Sequence, residues 1–209
     1  GAQIAAHLVN CKVPVILFDL PAKEGPKNGI VTKAIEGLKK LKPAPLGVPE
    51  DAALIQAANY EEHMALLTGC DLIIEAIAER MDWKTALYEK IAPFIAPHAI
   101  VASNTSGLSI TEMSQALPEA IKPRFCGIHF FNPPRYMRLL ELIVGEKTDA
   151  SAVETIREIC DVRLGKGVVQ CNDTPGFIAN RLGVFWLTAG VNEAIAQNVP
   201  IEVADAVMS

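Results

Sequence analysis

The chain has 209 residues and a formal net charge of −5, with 50% apolar and 21% charged residues. This share of apolar side chains is enough for a packed core and excludes intrinsic disorder. The acidic balance, with a pI of about 5.4, argues against a nucleic-acid binder that works through its overall field, because such proteins are basic. No apolar run reaches the roughly 18 residues that a membrane span needs.

Five cysteines are spread through the chain without any C-x-x-C pair. We therefore predict no metal or redox motif, and we expect most of these thiols to pack as small apolar side chains. Free thiols are typical of a reducing compartment, so we expect a cytoplasmic protein. The chain opens and closes in helical patterns, and we expect it to be a segment of a longer protein.

Short apolar runs rich in β-branched residues predict strands that are buried on both faces. These runs cover residues 13–19, 71–79, 99–104, 125–131, 139–144 and 167–171. Apolar residues at helical spacing predict intervening helices, as over 27–42. Residues 52–69 are weakly patterned and predict no element. Strands that alternate with helices favour an α/β fold, with a mostly parallel sheet and helices on both faces.

Helix starts are predicted from capping residues. Three side chains have the position of an N-cap, and the last two have a Glu three residues further on. They are Asp82, Ser109 and Ser151. From the Thr174-Pro pair onward the pattern is helical only, to about Ala196. We therefore predict a first domain over residues 1–174 and the beginning of an all-helical domain over 175–209.

Ligands of open parallel sheets bind beyond the carboxyl ends of the strands. Asp19 ends a predicted strand 18 residues after Gly1. That spacing is close to the one between the glycine loop of a dinucleotide site and the acid that binds the adenosine ribose. The alternative is a solvated loop residue or a helix cap. The full G-x-G-x-x-G is absent; if Gly1 is its last glycine, the first strand and most of the loop lie ahead of residue 1.

His129 and Glu141 form the most informative pair in the sequence. Each lies inside a predicted strand, and a carboxylate in an apolar run is costly to bury unpaired. Since only a short turn joins the two strands, we expect the side chains to meet. A carboxylate beside an imidazole stabilises the imidazolium and makes the histidine a better proton acceptor. The alternative is a hydrogen-bonded core histidine and a glutamate that faces water.

Two further polar segments are candidates for substrate contacts. Residues 103–109, SNTSGLS, follow the third strand and either orient a substrate oxygen or form a helix-entry loop with Ser109 as the cap. Asn180 lies in GFIANR on the last predicted helix. Its alternative is an exposed helix face, where Asn is slightly unfavourable.

Six segments together resemble the L-3-hydroxyacyl-CoA dehydrogenase family in order and spacing. They are GAQIAAHLVN, VILFDL, DLIIEAIAER, ASNTSGLSI, HFFNPPRYMRLLELI and DTPGFIANRL. The resemblance covers nearly the whole chain. It implies a Rossmann-type NAD-binding domain followed by a helical domain used for homodimerisation. It also implies NAD-dependent oxidation of (3S)-3-hydroxyacyl-CoA to 3-oxoacyl-CoA in fatty acid β-oxidation.

The resemblance also implies roles for particular residues. His129 is the general base and Glu141 its partner. The substrate contacts fall on Ser106, Asn132 and Asn180. The cofactor contacts fall on Gly1, Asp19, Glu79 and Lys84, with Asp19 on the ribose.

One turn departs from the family pattern, with Arg135 and Tyr136 where smaller apolar residues are common. This turn resembles the multifunctional proteins in which a dehydrogenase is fused to an enoyl-CoA hydratase. Two alternatives stay open: another NAD-linked hydroxy-acid dehydrogenase of the same superfamily, and an inactive segment with an assembly role.

Overall fold

The computed structural model describes residues 1–208, in which strands and helices alternate. The strands are β1 (Val15–Asp19), β2 (Ile55–Asn59), β3 (Leu72–Glu75), β4 (Ile100–Ser103), β5 (Phe125–Phe130), β6 (Leu139–Val144) and β7 (Gly167–Asn172). The α-helices are α1 (Ala2–Asn10), α2 (Gly29–Leu38), α3 (Met81–Ile91), α4 (Ile110–Ser114), α5 (Ala150–Glu158), α6 (Ala179–Ala196) and α7 (Ile201–Met208).

Five of the strands form one sheet in the order β3-β4-β5-β6-β7. The β5–β6 pair is antiparallel and the other neighbours are parallel. Strands β1 and β2 form a separate parallel pair. The prediction of an α/β fold with a mostly parallel sheet is confirmed.

Helices cover both faces of the five-stranded sheet. Successive residues of β4 point to opposite faces, as strand geometry requires. Ala102 packs in a cluster with residues of α1 and α5, whereas Val101 packs with residues of α3 and α4. All six residues of β5 are buried, because this strand lies in the middle of the sheet. The predicted apolar run at 125–131 is thereby explained.

Strand β2 lies inside the stretch for which the sequence predicted no element. Its five residues, IQAAN, include one exposed Gln and three small or amide side chains. With one β-branched residue and two amide side chains, this run produces no strand signal. It is held by parallel pairing with β1, from Val15 with Ile55 to Asp19 with Asn59.

Only one of the three predicted helix caps is correct. The Ser109 hydroxyl accepts the N–H of Glu112 and caps α4. Asp82 lies inside the first turn of α3 and pairs with the neighbouring Arg80 at 2.6 Å, so it does not cap that helix. Ser151 lies inside α5, which begins after Asp149.

The last long helix begins five residues later than predicted, at Ala179 rather than at Thr174. The intervening residues Gly176 and Phe177 have φ angles of 73° and 50°. Both angles lie in the left-handed region, which an α-helix cannot accommodate. The Thr-Pro signal therefore marks a turn that leads into α6.

No helix within residues 1–208 has the length and apolarity to span a bilayer.

Candidate active site

The antiparallel register of β5 and β6 places His129 directly opposite Glu141. The Nδ1 atom of His129 lies 2.8 Å from Oε2 of Glu141, and the two residues are 5% and 1% exposed. The prediction that these side chains meet is confirmed. Because an ionised carboxylate only accepts hydrogen bonds, Nδ1 carries the proton and Nε2 keeps a free lone pair. Among residues 1–208, no group hydrogen-bonds to Nε2.

The second oxygen of Glu141 holds the start of α6. Its Oε1 accepts the backbone N–H of Ile178 at 3.0 Å and that of Ala179 at 2.8 Å. Burial alone would raise the pKa of Glu141, but hydrogen bonds from His129 and from these two N–H groups lower it overall. The carboxylate is therefore ionised near neutral pH, as a partner for an imidazolium must be.

The rings of Phe131 and Phe177 flank the imidazole of His129, with centroid distances of 4.5 and 5.9 Å. Together with the Glu141 hydrogen bond, these contacts fix the orientation of the ring. Phe177 belongs to the turn before α6, so the segment that begins the helical region also forms one wall of the histidine site.

The peptide unit of Ser106 is held by two residues from distant parts of the chain. Nδ2 of Asn180 donates to the Ser106 carbonyl at 3.0 Å, and Oε1 of Glu79 accepts the Ser106 N–H at 2.8 Å. The same Glu79 oxygen accepts the N–H of Gly107 at 3.0 Å and the Thr105 hydroxyl at 2.5 Å. Burial raises the pKa of Glu79, but these hydrogen bonds and Lys84 lower it overall.

Lys84 lies in a buried polar network below this loop. It is fully buried, and Nζ donates to both Glu75 oxygens, at 2.7 and 2.9 Å. The hydroxyls of Tyr88 and Ser103 donate to Glu75 Oε2, at 2.8 and 2.6 Å. Lys84 also lies 3.8 Å from Oε2 of Glu79, its nearest approach to the loop edge of the site. A direct contact of Lys84 with a cofactor stays a prediction.

A cavity of about 410 Å³ lies at the amino end of α1, beside α2. Its lining includes Gly1, Gln3, Leu41, Asn104, Asn132 and Pro134. The cavity therefore brings the predicted residues Gly1 and Asn132 together. Asp19 lies at the carboxyl end of β1, where its Oδ1 accepts the N–H of Leu20 at 2.7 Å.

Three further residues shape the site, although the sequence analysis predicted no role for them beyond, in some cases, a place in a motif. Oδ1 of Asn104 accepts the N–H of Phe130, next to His129. Asp173 accepts the N–H groups of Ile110 and Thr111 at 2.9 and 2.8 Å and so joins the end of β7 to α4. Glu75 organises the buried network. These are contacts between distant elements, and no local motif signals them.

Arg135 and Tyr136, in the turn that departs from the family pattern, bind the loop after α2. Arg135 Nη1 donates to the carbonyls of Ala44 and Leu46 at 2.8 and 2.6 Å, and the Tyr136 hydroxyl donates to that of Ala44 at 2.9 Å. The turn that follows Asn132 is thereby fixed against the loop at residues 43–47, beside the cavity.

Residues 1–174 match the family model described as 3-hydroxyacyl-CoA dehydrogenase, NAD binding domain. The chain belongs to the 3-hydroxyacyl-CoA dehydrogenase family. The whole chain is 43% identical to a Rickettsia felis protein named as the trifunctional enzyme of a fatty acid oxidation complex, and it spans 29% of that protein. Over 88% of the chain, it is 41% identical to a Deinococcus radiodurans protein named for 3-hydroxyacyl-CoA dehydrogenase, and it covers 54% of that relative.

Solved structures place the fold in the same family. The 3-hydroxybutyryl-CoA dehydrogenase of Escherichia coli K12 superposes with a TM-score of 0.78 at 30% identity, over 95% of this chain and 41% of that one. The (S)-3-hydroxybutyryl-CoA dehydrogenase of Ralstonia eutropha gives a TM-score of 0.79 at 26% identity, over 96% of this chain and 69% of that one.

The described residues fit NAD, the cofactor of this 3-hydroxyacyl-CoA dehydrogenase domain. Helix α1 has no acidic residue in its first turn and no side-chain cap. Its first N–H groups are therefore free to bind an anion such as a pyrophosphate. Helix α1 begins beside β1, since a Cβ on Gly1 would lie 3.7 Å from Leu17, and Asp19 ends that strand. An acid and a helix amino terminus thus lie together, as a dinucleotide requires.

Proposed function

We propose that the whole protein oxidises (3S)-3-hydroxyacyl-CoA to 3-oxoacyl-CoA with NAD in fatty acid oxidation. The observation that carries this proposal is the imidazole of His129, which has an ionised carboxylate on one nitrogen and a free lone pair on the other. It lies in a domain whose family is named for this activity. The chain alone spans less than a third of its trifunctional relative.

In the proposed reaction, Nε2 of His129 takes the proton of the 3-hydroxyl group. Glu141 stabilises the imidazolium that results, and the Nδ1 hydrogen bond keeps the ring oriented. NAD supplies the hydride acceptor when bound. The Ser106 hydroxyl and the Asn180 amide bind oxygens of the substrate, and Asn132, in the turn after β5, contacts the acyl-CoA. The amino end of α1 at Gly1 and the carboxylate of Asp19 hold the dinucleotide.

The test is His129→Ala in the full-length protein, with NADH formation as the readout. Loss of a general base is expected to lower kcat by about a hundredfold or more. The matched control is His98→Ala, because His98 is an exposed histidine that pairs only with Asp71. Unchanged turnover in the His129 variant would refute the mechanism.

A second experiment compares turnover of a free 3-hydroxy acid with turnover of its CoA thioester. Equal turnover would favour the alternative that the protein is another NAD-linked hydroxy-acid dehydrogenase of the same superfamily.

We also propose that an apolar strand of the whole protein fills the groove between β1 and β3. Each of these strands has an unpaired edge on that side within the described sheets. The groove is lined by apolar side chains that include Leu17, Leu67 and Ile73. Such edges pair readily with an added strand. This arrangement supports a first domain that ends near Thr174, with its first strand outside residues 1–208.

The proposed partner of residues 175–209 is the remainder of a helical domain, through which the protein forms a homodimer. Helix α6 has no buried residue, and large apolar side chains such as Phe185 and Trp186 are 73% and 58% exposed. Surfaces of this kind are covered in stable proteins.

We also propose that the protein works in a reducing compartment such as the cytoplasm. The five free thiols support this proposal.

A further inference from the structure

The turn that joins β5 to β6 spans residues 131–138 and carries Asn132. Within the turn, the N–H groups of Tyr136 and Met137 both donate to the carbonyl of Pro133, at 3.0 Å. Asn132 is exposed, and among residues 1–208 its side chain has no hydrogen-bond partner. The position of Asn132 is therefore set by the backbone of the turn.

The ammonium group of Lys166 holds this turn from the side of the core. Its Nζ donates to the carbonyls of Pro134 and Met137, the latter at 2.9 Å, and it lies 5.8 Å from the ring centroid of Phe130. The face of an aromatic ring attracts a cation at this distance. Since an ammonium has three N–H donors, the two carbonyls and the ring can use all of them.

Lys166 is buried without a carboxylate partner among residues 1–208. The other two buried lysines of this part of the chain are paired, Lys84 with Glu75 and Lys122 with Glu119. Lys166 is 3% exposed, and burial lowers its pKa. Burying a charge without a counterion is costly. The fold therefore gains from this ammonium only what its contacts with the turn provide.

The side chain of Lys166 reaches the turn from a fixed point of the backbone. The next residue, Gly167, begins β7, and its N–H donates to the Arg138 carbonyl at 2.8 Å. The outer side of the turn is attached to the loop at residues 43–47 through Arg135. The turn is thus held on both sides, and Lys166 provides the contacts on the side of the core.

We propose that Lys166 is a positioning residue, whose ammonium group fixes the turn between β5 and β6 and so holds Asn132 in place for the substrate. This inference rests on the proposed function, in which Asn132 contacts the acyl-CoA. Because a small displacement of a contact residue disturbs the reacting geometry, loss of the Lys166 contacts lowers kcat. The pair of His129 and Glu141 is held by the strand register and by α6, so its geometry does not depend on Lys166.

The test is Lys166→Met in the full-length protein, since methionine keeps a long unbranched stem but has no N–H to donate. We expect kcat to fall by about tenfold or more, with the KM for the acyl-CoA within about threefold of the parent value. Hydrogen–deuterium exchange of the substrate-free protein should be faster over residues 133–138 and unchanged in the neighbouring strands. The midpoint of urea unfolding should change little, because the variant also loses the cost of burying a charge. The matched control is Lys147→Met, because Lys147 is an exposed lysine that binds only Glu119.

Three results would overturn the inference. Unchanged exchange over residues 133–138 would mean that Lys166 does not hold the turn, and faster exchange throughout the domain would mean that it serves stability in general. Faster exchange in the turn with unchanged kcat would mean that the reaction does not need the turn in this position.

If Lys166→Met does not fold, Lys166→Gln decides the matter. The glutamine side chain is one atom shorter, so it cannot bond both carbonyls, and either unchanged exchange or unchanged kcat in this variant refutes the proposal. The exchange experiment needs no substrate. Its failure is therefore distinguishable from failure of the proposed function, which the His129→Ala experiment tests.

Discussion

Glu141 combines two tasks in one side chain, since one oxygen serves His129 and the other serves the amino end of α6. Glu141→Gln keeps the shape and an acceptor oxygen but removes the charge that stabilises the imidazolium. We expect kcat to fall by about tenfold to a hundredfold. The measurement is kcat at saturating NAD and acyl-CoA, together with a thermal unfolding curve.

The unfolding curve separates the two tasks of Glu141. A glutamine oxygen can still accept the N–H groups of Ile178 and Ala179, so the melting temperature should change little. A variant with normal kcat and a low melting temperature would mean that the carboxylate serves α6 and not the imidazole.

At the level of elements, Asp173 connects the end of β7 with the start of α4. Burial would raise its pKa, but hydrogen bonds from Thr111, Ile110 and Ser109 lower it overall. Because the folded pKa lies below the unfolded value near 3.8, the stabilisation is fully present above that pH and is lost as the pH falls through the folded pKa.

Asp173→Asn places an amide donor where two N–H groups and a hydroxyl already donate. The expected loss is about 1 kcal/mol of unfolding free energy at pH 7, as for other helix-cap substitutions. The loss should shrink as the pH falls below 3.8, because the unfolded parent then takes up the proton, and it should be smallest below the lowered folded pKa. Urea unfolding at pH 7 and at about pH 2.5 tests this, with Asp161→Asn, an exposed residue, as the control. An equal loss at both pH values would contradict the electrostatic part of the argument.

The elements that the sequence predicts well are those whose signal is local. Strands β4 to β6 are buried on both faces, so they read as uninterrupted apolar runs. The pairing of His129 with Glu141 also follows from local chain connection, because the two strands are neighbours in sequence. The start of α6 cannot be predicted from local sequence in this way. The positive φ of Phe177, which delays the helix, has no sequence signal of the kind that glycine provides.

The remaining site contacts join residues that are far apart in the sequence. Glu79 and the Ser106 loop are 27 positions apart, and Asp173 lies 63 positions after Ile110. Nothing in the residue types specifies these partners, since an exposed carboxylate after a strand has many possible donors. The hydrogen bonds of Glu79 within the folded chain run to this loop, and its contact with the cofactor, which the family resemblance implies, stays a prediction.

On the scale of the whole molecule, α6 touches the α/β domain at the candidate site itself. Its first turn is held by Glu141, and its Asn180 holds the carbonyl of Ser106. The same helix is 18 residues long and exposes large apolar side chains along its length. Any element that packs on α6 therefore acts on the region of His129 and Ser106 through two short contacts, which links assembly of the helical domain to the geometry of the site.

The exposed surface of α6 and α7 predicts how the 209-residue chain behaves alone. Phe185 is 73% and Ile195 71% exposed, and exposed apolar patches of this kind drive association. We expect concentration-dependent self-association in sedimentation velocity, which the double substitution of Phe185→Ser with Ile195→Ser reduces. The control is Leu54→Ser. Leu54 is 52% exposed, but it lies before β2 and is far from α6 in the sequence. If the control reduced association as strongly, the α6 surface would not be the one that the rest of the protein covers.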